Sequence, residues 1–578
     1  MKKELLLGNA AVARGLYEAG AVFVSSYPGT PSTEITEEAA KYEEIYSEWA
    51  PNEKVALEAV FGASLAGARA FCGMKHVGLN VAADPLFTLS YTGVRGGVVI
   101  GVADDPGMHS SQNEQDSRHY AKASKVPILE PSDSDEALKF TKLAFDISER
   151  FDTPVILRMC TRISHSQSVC EISERIEKPL IEYKKDIAKY VMMPGCAILR
   201  HPFVEERINR LKEFAEESSI NKAEMNGSSL GIVTASTSYQ YVKEALGNKA
   251  SILKLGMTYP LPENKIRKFA SQVDRLIVIE ELDPFFEEAI KAMGIACEGK
   301  SLFSVCGEFS QNNIRKSLNI SYAEGQSLEE GIPVRPPVMC AGCPHRAMYY
   351  TLKQNKCVVL GDIGCYTLGA VRPLESVDST LCMGASISSV HGFNKVMERS
   401  GKTLPAVAVI GDSTFMHSGM TGLANISYNR SISVVIILDN SITGMTGHQE
   451  NPTTGKNIKG EPAGKIDLEA LCYALGFKRV RVIDPNDLDM ADTVLKEELS
   501  AGEPSVIISR RPCALLKYVK HKPPIRVNSS KCSGCKSCMK IGCPAISMKG
   551  KTAVIDKTLC VGCDVCKKLC HFSAMEDD

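Results

Sequence analysis

Short apolar runs rich in β-branched residues return along almost the whole chain, each separated from the next by helical text, and this alternation most restricts the possible folds. A strand buried on both faces needs such a run, and helices between successive runs cover a parallel sheet. AVFVSSYP, HVGLNV, GGVVIGVAD, KVPILE and TPVILRM lie in the first 165 residues, with KVALEAVFGASLAGARA as an Ala-rich helical segment among them. They predict one doubly wound α/β domain over 1–165. Charged text such as RIEKPLIEYKKDIAKY marks a long connection over about 166–226. SLGIVTAS, ASILKLGM, RLIVIEEL and SLFSVCGE then predict a smaller α/β domain, so that 166–330 is connection plus domain. EEGIPVRPPVMCAGC reads as an extended linker, because residues before proline are driven out of the helical region. KCVVLGDIG, LPAVAVIGD, ISVVIILDN, KRVRVID and PSVIISRR predict a third α/β domain within 331–520, and HKPPIRV leads into a last segment, 521–578.

At 578 residues the chain exceeds what one hydrophobic core serves. A net charge of -1 gives no electrostatic reason to bind nucleic acid or an anionic membrane. No apolar run reaches the roughly 20 residues that span a bilayer. The start, MKKELLLGNAAVARGLYEAG, is read as a strand followed by an amphipathic helix and not as a signal peptide, since Glu4, Asn9, Arg14 and Glu18 interrupt its apolar text. A cytoplasmic location is expected, with cysteines as metal ligands or buried thiols rather than disulfides.

Eight of the 21 cysteines fall between 532 and 570. Cys532, Cys535, Cys538 and Cys543 form CxxCxxCxxxxC followed by Pro544; Cys560, Cys563, Cys566 and Cys570 form CxxCxxCxxxC. Three closely spaced thiolates in a loop can wrap three irons of a cubane, while the fourth must come from elsewhere. The two runs match the bacterial two-cluster ferredoxin pattern, in which the fourth cysteine of each run ligates the other cluster. That resemblance implies one 4Fe-4S cluster on Cys532, Cys535, Cys538 and Cys570 and a second on Cys560, Cys563, Cys566 and Cys543. Zinc is the alternative, since two tetrahedral sites would also use eight cysteines, but it does not need the third cysteine of each CxxCxxC run. Two departures bear on loop conformation: an extra residue before Cys543, and His571 where a proline usually follows.

Asp412 and Asn440 each follow a predicted strand, at Gly411-Asp412-Ser413 and Asp439-Asn440-Ser441-Ile442, with the Gly-rich TGMTG beyond. Open α/β sheets bind ligands at such carboxyl ends. The Asp412 carboxylate, the Asn440 amide oxygen and the Ile442 carbonyl offer a hard cation three oxygens, and two diphosphate oxygens and a water would complete an octahedron suited to Mg2+. Alone, an aspartate there is more often a helix cap. The pair resembles the GDG...NN motif of thiamine diphosphate enzymes, with Ser413 and Asp439 replacing two of its residues. The resemblance implies a catalytic glutamate early in a small-residue helix of another α/β domain, where it hydrogen-bonds the cofactor's pyrimidine. Glu58 is the expected residue, on one apolar face with Gly62, Ala66 and Ala70.

SYPGTPSTE, ADDPGMHSSQNEQDSR, CAGCPHRA and GDIGCYTLG, together with the motifs above, resemble the alpha subunits of the indolepyruvate ferredoxin oxidoreductase family, within the 2-oxoacid ferredoxin oxidoreductase superfamily. The resemblance spans essentially the whole chain. It implies thiamine diphosphate-binding doubly wound α/β domains, a pyrimidine-binding one at 1–165 and a diphosphate-binding one at 331–520. A smaller transketolase C-terminal-like α/β domain lies between them, and a two-cluster ferredoxin-like domain covers 521–578. The implied reaction converts an arylpyruvate, coenzyme A and oxidised ferredoxin into an aryl-acetyl-CoA, carbon dioxide and reduced ferredoxin, with a smaller beta subunit as partner. Thr30, in the turn after the first long strand, is a candidate for contacting the substrate's carboxylate or keto oxygen, with an ordinary helix cap as the other reading. His109, Ser110 and Ser111 would line the same cleft. Related enzymes hold a further 4Fe-4S cluster beside thiamine with a layout similar to Cys340, Cys343, Cys365 and Cys513; a reduced pair and a buried thiol remain the alternative. Pyruvate or another 2-oxoacid as substrate, a nonoxidative decarboxylase or carboligase, and a pure electron-transfer subunit also stay open.

Overall fold

The β-branched runs become the central strands of parallel sheets in two compact units, residues 1–327 and 328–578. The computed structural model describes residues 2–322, 331–333 and 336–577. In the first unit a seven-stranded sheet runs Met257–Tyr259, Ile128–Leu129, Val155–Cys160, Val98–Asp104, Ala70–Lys75, Phe23–Ser26 and Tyr46–Trp49. All neighbours are parallel except Met257–Tyr259, which closes one edge antiparallel. Val155–Cys160, Val98–Asp104 and Ala70–Lys75 are buried along their whole length, which is why their text is continuously apolar rather than alternating.

Two strand expectations are corrected. HVGLNV forms the helix His76–Val81, and the strand is the preceding AFCGMK; His76 and Leu79 are buried at helical spacing. SLFSVCGE holds no strand: Phe303 is buried but Val305 stands 48% exposed, so the run has no second covered face.

The segment 166–330 does not keep to itself. Gln167–Ile172 pairs antiparallel with Lys2–Leu7, and Met257–Tyr259 joins the large sheet. The small sheet runs Leu276–Ile279, Gly231–Ala235, Ser251–Leu255 and Lys222–Glu224, with the last antiparallel. The first two of the four expected domains therefore share one unit, as do the last two. The expected linker EEGIPVRPP lies largely outside the described residues. A buried charge network ties the large sheet to the small-sheet side: Arg118 donates to Asp116 and, at 2.6 Å, to Glu280, while Arg158 donates to Asp104 at 2.6 Å and to Glu130 at 2.5 Å.

The second unit is built on five parallel strands in the order Val358–Leu360, Ala406–Gly411, Val434–Asp439, Ser505–Arg510 and Arg479–Ile483. Val407, Val409 and Ile436 enter the core on one face; Ala408, Ile410 and Ile437 enter it on the other. After the last strand come two short antiparallel pairs, Ile525–Val527 with Met575–Asp577 and Ile546–Lys549 with Thr552–Ile555. Their core is small, centred on Ile525, Ile541, Ile546, Val565 and Met575.

Candidate active site and cluster sites

Asp412 follows Ala406–Gly411, and Asn440 follows the adjacent Val434–Asp439, with Gly411 in register with Leu438. A Cβ on Gly411 would come 2.6 Å from the Tyr366 ring, so the chain can turn here only as glycine. Asp412 is buried and accepts from the Ser413 amide at 2.8 Å and the Thr453 hydroxyl at 3.4 Å. Burial, reinforced by neighbouring Asp439, pushes its carboxyl up to about 8. Asp439 itself is turned to Arg510 at 2.8 Å.

The amide end of Asn440 lies 2.8 Å from the Ile442 carbonyl oxygen and 3.2 Å from Asp412 Oδ1. With nitrogen inward it donates to both; with oxygen inward, three oxygens converge without a donor. The edges of a Mg2+ octahedron with bonds of about 2.0–2.1 Å are about 2.9 Å, so the second arrangement fits a cation. Half a turn of one amide thus separates a self-bonded site from one able to take a metal. Ser413 is held by the Thr443 hydroxyl at 2.9 Å, and the Gly-rich loop beyond closes through reciprocal Thr443 and Gln449 backbone bonds.

The same strand ends hold thiols. The Cys513 amide donates to the Asn440 carbonyl at 2.9 Å, and its thiol is raised by burial and by the neighbouring Cys340 thiol and Asp412 carboxylate. Cys365 opens the helical turn after GDIG and is pushed to about 11 by burial, with Cys513 and Cys340 adding to it. Cys343 rises to about 12, again chiefly through burial, with Cys365 and Cys340 beside it. The fold therefore brings Cys340, Cys343, Cys365 and Cys513 together next to the Asp412 oxygens.

Two further cavities carry the last eight cysteines. One is lined by Cys532, Cys535, Cys538 and Cys570, the other by Cys543, Cys560, Cys563 and Cys566. Each draws three thiols from one run and the fourth from the other. Amides of Ala553, Ile525 and Ala574 donate to the sulfurs of Cys532, Cys560 and Cys570 at 3.5, 3.4 and 3.2 Å. Among the described residues no three cysteines hold their thiols within 4.8 Å of one another.

In the first unit, the placement expected of Glu58, on a buried stripe running through Ala70, is corrected. The helix carrying it is Glu53–Leu65, capped by the Asn52 side chain, and it stops before Gly67, whose φ is 89°. Ala70 belongs to the next strand, and the stripe expected to continue through it does not exist. Glu58 faces outward, 48% exposed, paired with Lys54. Glu53 is the buried carboxylate of this helix, on one side with Leu57, Val60 and Ser64. A Cβ on Gly78 would come 2.5 Å from Glu53 Oε1, so that glycine makes its room.

Thr30 lies half-buried beyond the carboxyl end of Phe23–Ser26, and Lys75, Asp105 and Thr161 stand at the same ends of other strands of the large sheet. The Ser110 hydroxyl reaches the Thr30 carbonyl at 3.5 Å, and Lys75 Nζ donates to the Ser110 carbonyl at 2.6 Å. Burial lowers the Lys75 ammonium to about 8 despite Asp105 nearby. Burial also works to raise Asp105, but Ser111, Thr161 and the Ser110 amide outweigh it and hold the carboxyl below its usual range. His109 is turned to Glu308 at 3.3 Å.

Residues 362–509 match the family described as "Thiamine pyrophosphate enzyme, C-terminal TPP binding domain". Residues 14–229 match "Pyruvate flavodoxin/ferredoxin oxidoreductase, thiamine diP-bdg". The chain is 41% identical to indolepyruvate oxidoreductase subunit IorA of Archaeoglobus fulgidus, over 100% of this chain and 97% of that protein. It belongs to the IorA family. Identity is 39% with the IorA of Pyrococcus horikoshii and 37% with that of Methanothermobacter thermautotrophicus, each over 100% of this chain and 97% of the relative.

Against this IorA-family background, sequence reasoning missed Glu53 and Lys75. Glu53 was within reach of helix arithmetic, since steps of four, three and four residues join it to Leu57, Val60 and Ser64, whereas Glu58 lies about 140° round the helix from it. Lys75 carried no signal, because the strand containing it was placed one segment late. No helix among the described residues is long and apolar enough to cross a membrane.

Proposed function

We propose that this chain is the thiamine-dependent subunit of an enzyme that oxidatively decarboxylates arylpyruvates such as indolepyruvate. Arylpyruvate, coenzyme A and two oxidised ferredoxins give aryl-acetyl-CoA, carbon dioxide, a proton and two reduced ferredoxins. The observation that carries this reading is the backbone bond from Cys513 to Asn440, which joins a cation-ready oxygen set to a set of four thiols. A decarboxylase without a redox step has no use for the second set.

Bound thiamine diphosphate supplies a nucleophilic carbon and an electron sink for the departing carboxylate. Asp412, Asn440 and the Ile442 carbonyl hold Mg2+ for its diphosphate, with Gly411 and Ser413 shaping the turn. Glu53 takes the role first expected of Glu58, as the buried carboxylate the helix offers to the pyrimidine; an exposed carboxylate already bonded to a lysine is poorly suited to that. Lys75 and Thr30 receive the carboxylate or keto oxygen of the 2-oxoacid, because a buried ammonium bonded to one carbonyl has donors to spare. Cys532, Cys535, Cys538 and Cys570 hold one 4Fe-4S cluster, Cys543, Cys560, Cys563 and Cys566 a second, and Cys340, Cys343, Cys365 and Cys513 a third. Residues 521–578 then form the ferredoxin-like domain, and a smaller beta subunit completes the enzyme.

Anaerobic iron and sulfide analysis tests this. Three cubanes give about twelve irons per chain, falling to about eight in Cys340→Ser; equal iron in both removes the third cluster. Carbon dioxide released from arylpyruvate without ferredoxin reduction would overturn the oxidative reading.

A further inference from the structure

Arg346 stands in the first turn of the helix His345–Gln354 and is only 5% exposed. Its guanidinium binds carbonyl oxygens from two distant stretches of the chain. Nε donates to Cys340 at 3.1 Å and Nη2 to Met339, both in the CxxC loop; Nη1 donates to Ile541 at 3.2 Å and to Gly542, just before Cys543. It also lines the cavity of Cys543, Cys560, Cys563 and Cys566, alongside Cys343. The thiols of Cys340 and Cys343 in the first stretch and of Cys543 and Cys563 in the last segment all lie near enough to act on its charge.

Among the described residues no carboxylate pairs with this guanidinium. A buried charge without a counter-charge is costly, and carbonyl dipoles answer it only in part. The anions the site is built to receive are therefore the two clusters. A cubane held by four thiolates is a dianion when oxidised and a trianion when reduced, so a fixed cation beside it favours the reduced form. Unlike lysine, arginine keeps its charge when buried and can fork between two backbones at once.

We propose that Arg346 is a positioning residue shared by two cluster sites, raising the reduction potential of both and fixing the distance between them through its carbonyl bonds. The inference rests on the cluster assignments above. Two groups that each gain negative charge on reduction repel one another, and a cation between them lowers the barrier to holding an electron on either.

The test is an EPR-monitored redox titration of the anaerobically purified holoenzyme as wild type, Arg346→Gln and Arg346→Lys, with iron and sulfide measured on each. Arg346→Gln is expected to keep its iron while the one-electron reduction equilibrium of the affected clusters falls at least tenfold, a shift of 59 mV. Arg346→Lys, retaining the charge but not the fork, is expected to restore most of that shift. Unchanged potentials in a fully loaded Arg346→Gln overturn the proposal. So does equal loss of iron from both variants, which would make Arg346 a structural clamp alone. A wild type without cluster signals instead sinks the cluster assignments on which the proposal stands.

Discussion

Glu53 and Glu58 differ by five positions and by everything that matters to a proton. Glu53 is 4% exposed against Gly78, while Glu58 is ion-paired in water. Glu53→Gln should lower kcat by about 10²–10⁴-fold, the usual weight of a positioned proton-transfer group, with thiamine diphosphate content unchanged. Glu58→Gln should leave turnover and melting temperature near wild type. Lys75 sets a pH limit. Its ammonium, faced by Asp105 and with the His76 ring next in the chain, loses its proton around pH 8, while the substrate carboxylate stays ionised. The attraction is present below about pH 8 and lost above it, so kcat/KM for arylpyruvate should fall about tenfold per pH unit there; Lys75→Arg should move the decline upward. Stability responds with the opposite sign. The folded pKa lies below the unfolded value of about 10.4, so the unfolded chain binds more protons between the two, and folding stability rises with pH across that window.

At the scale of elements, continuously apolar runs were readable because strands buried on both faces have no polar side to confuse them. Ala406–Gly411 and Val434–Asp439 fall where their text places them, and with them Asp412 and Asn440. The failures share a physical cause: HVGLNV and SLFSVCGE are apolar enough for a strand, but burial at helical spacing and the lack of a second cover decide otherwise. Nothing in ADDPGMHSSQNEQDSR announced that its last residue would lock two sheets together, since a buried ion pair needs partners 162 positions away, at Glu280. Arg118→Met should cost about 3–5 kcal/mol, because it strands Asp116 and Glu280 in the interior, and differential calorimetry would read it as a lowered transition.

Across the whole molecule, stability is unevenly founded. The parallel sheets stand on apolar cores of their own, whereas residues 525–577 surround two thiol cavities with a small core. With the proposed clusters in those cavities, metal binding there would be folding free energy. Anaerobic chelation of iron should strip hydrogen-exchange protection from 525–577 while the amides of 406–411 and 434–439 stay protected; retention of protection in both regions would show a tail that folds without metal. The crossed ligand sets carry one more consequence, for how the protein is made. Because each cavity borrows its last thiol from the opposite run, the first of the proposed cubanes to arrive would gather both runs, and the second would find its four thiols already assembled. Maturation should be all-or-none: under iron shortage, preparations should divide into fully charged and empty molecules, with half-loaded ones scarce.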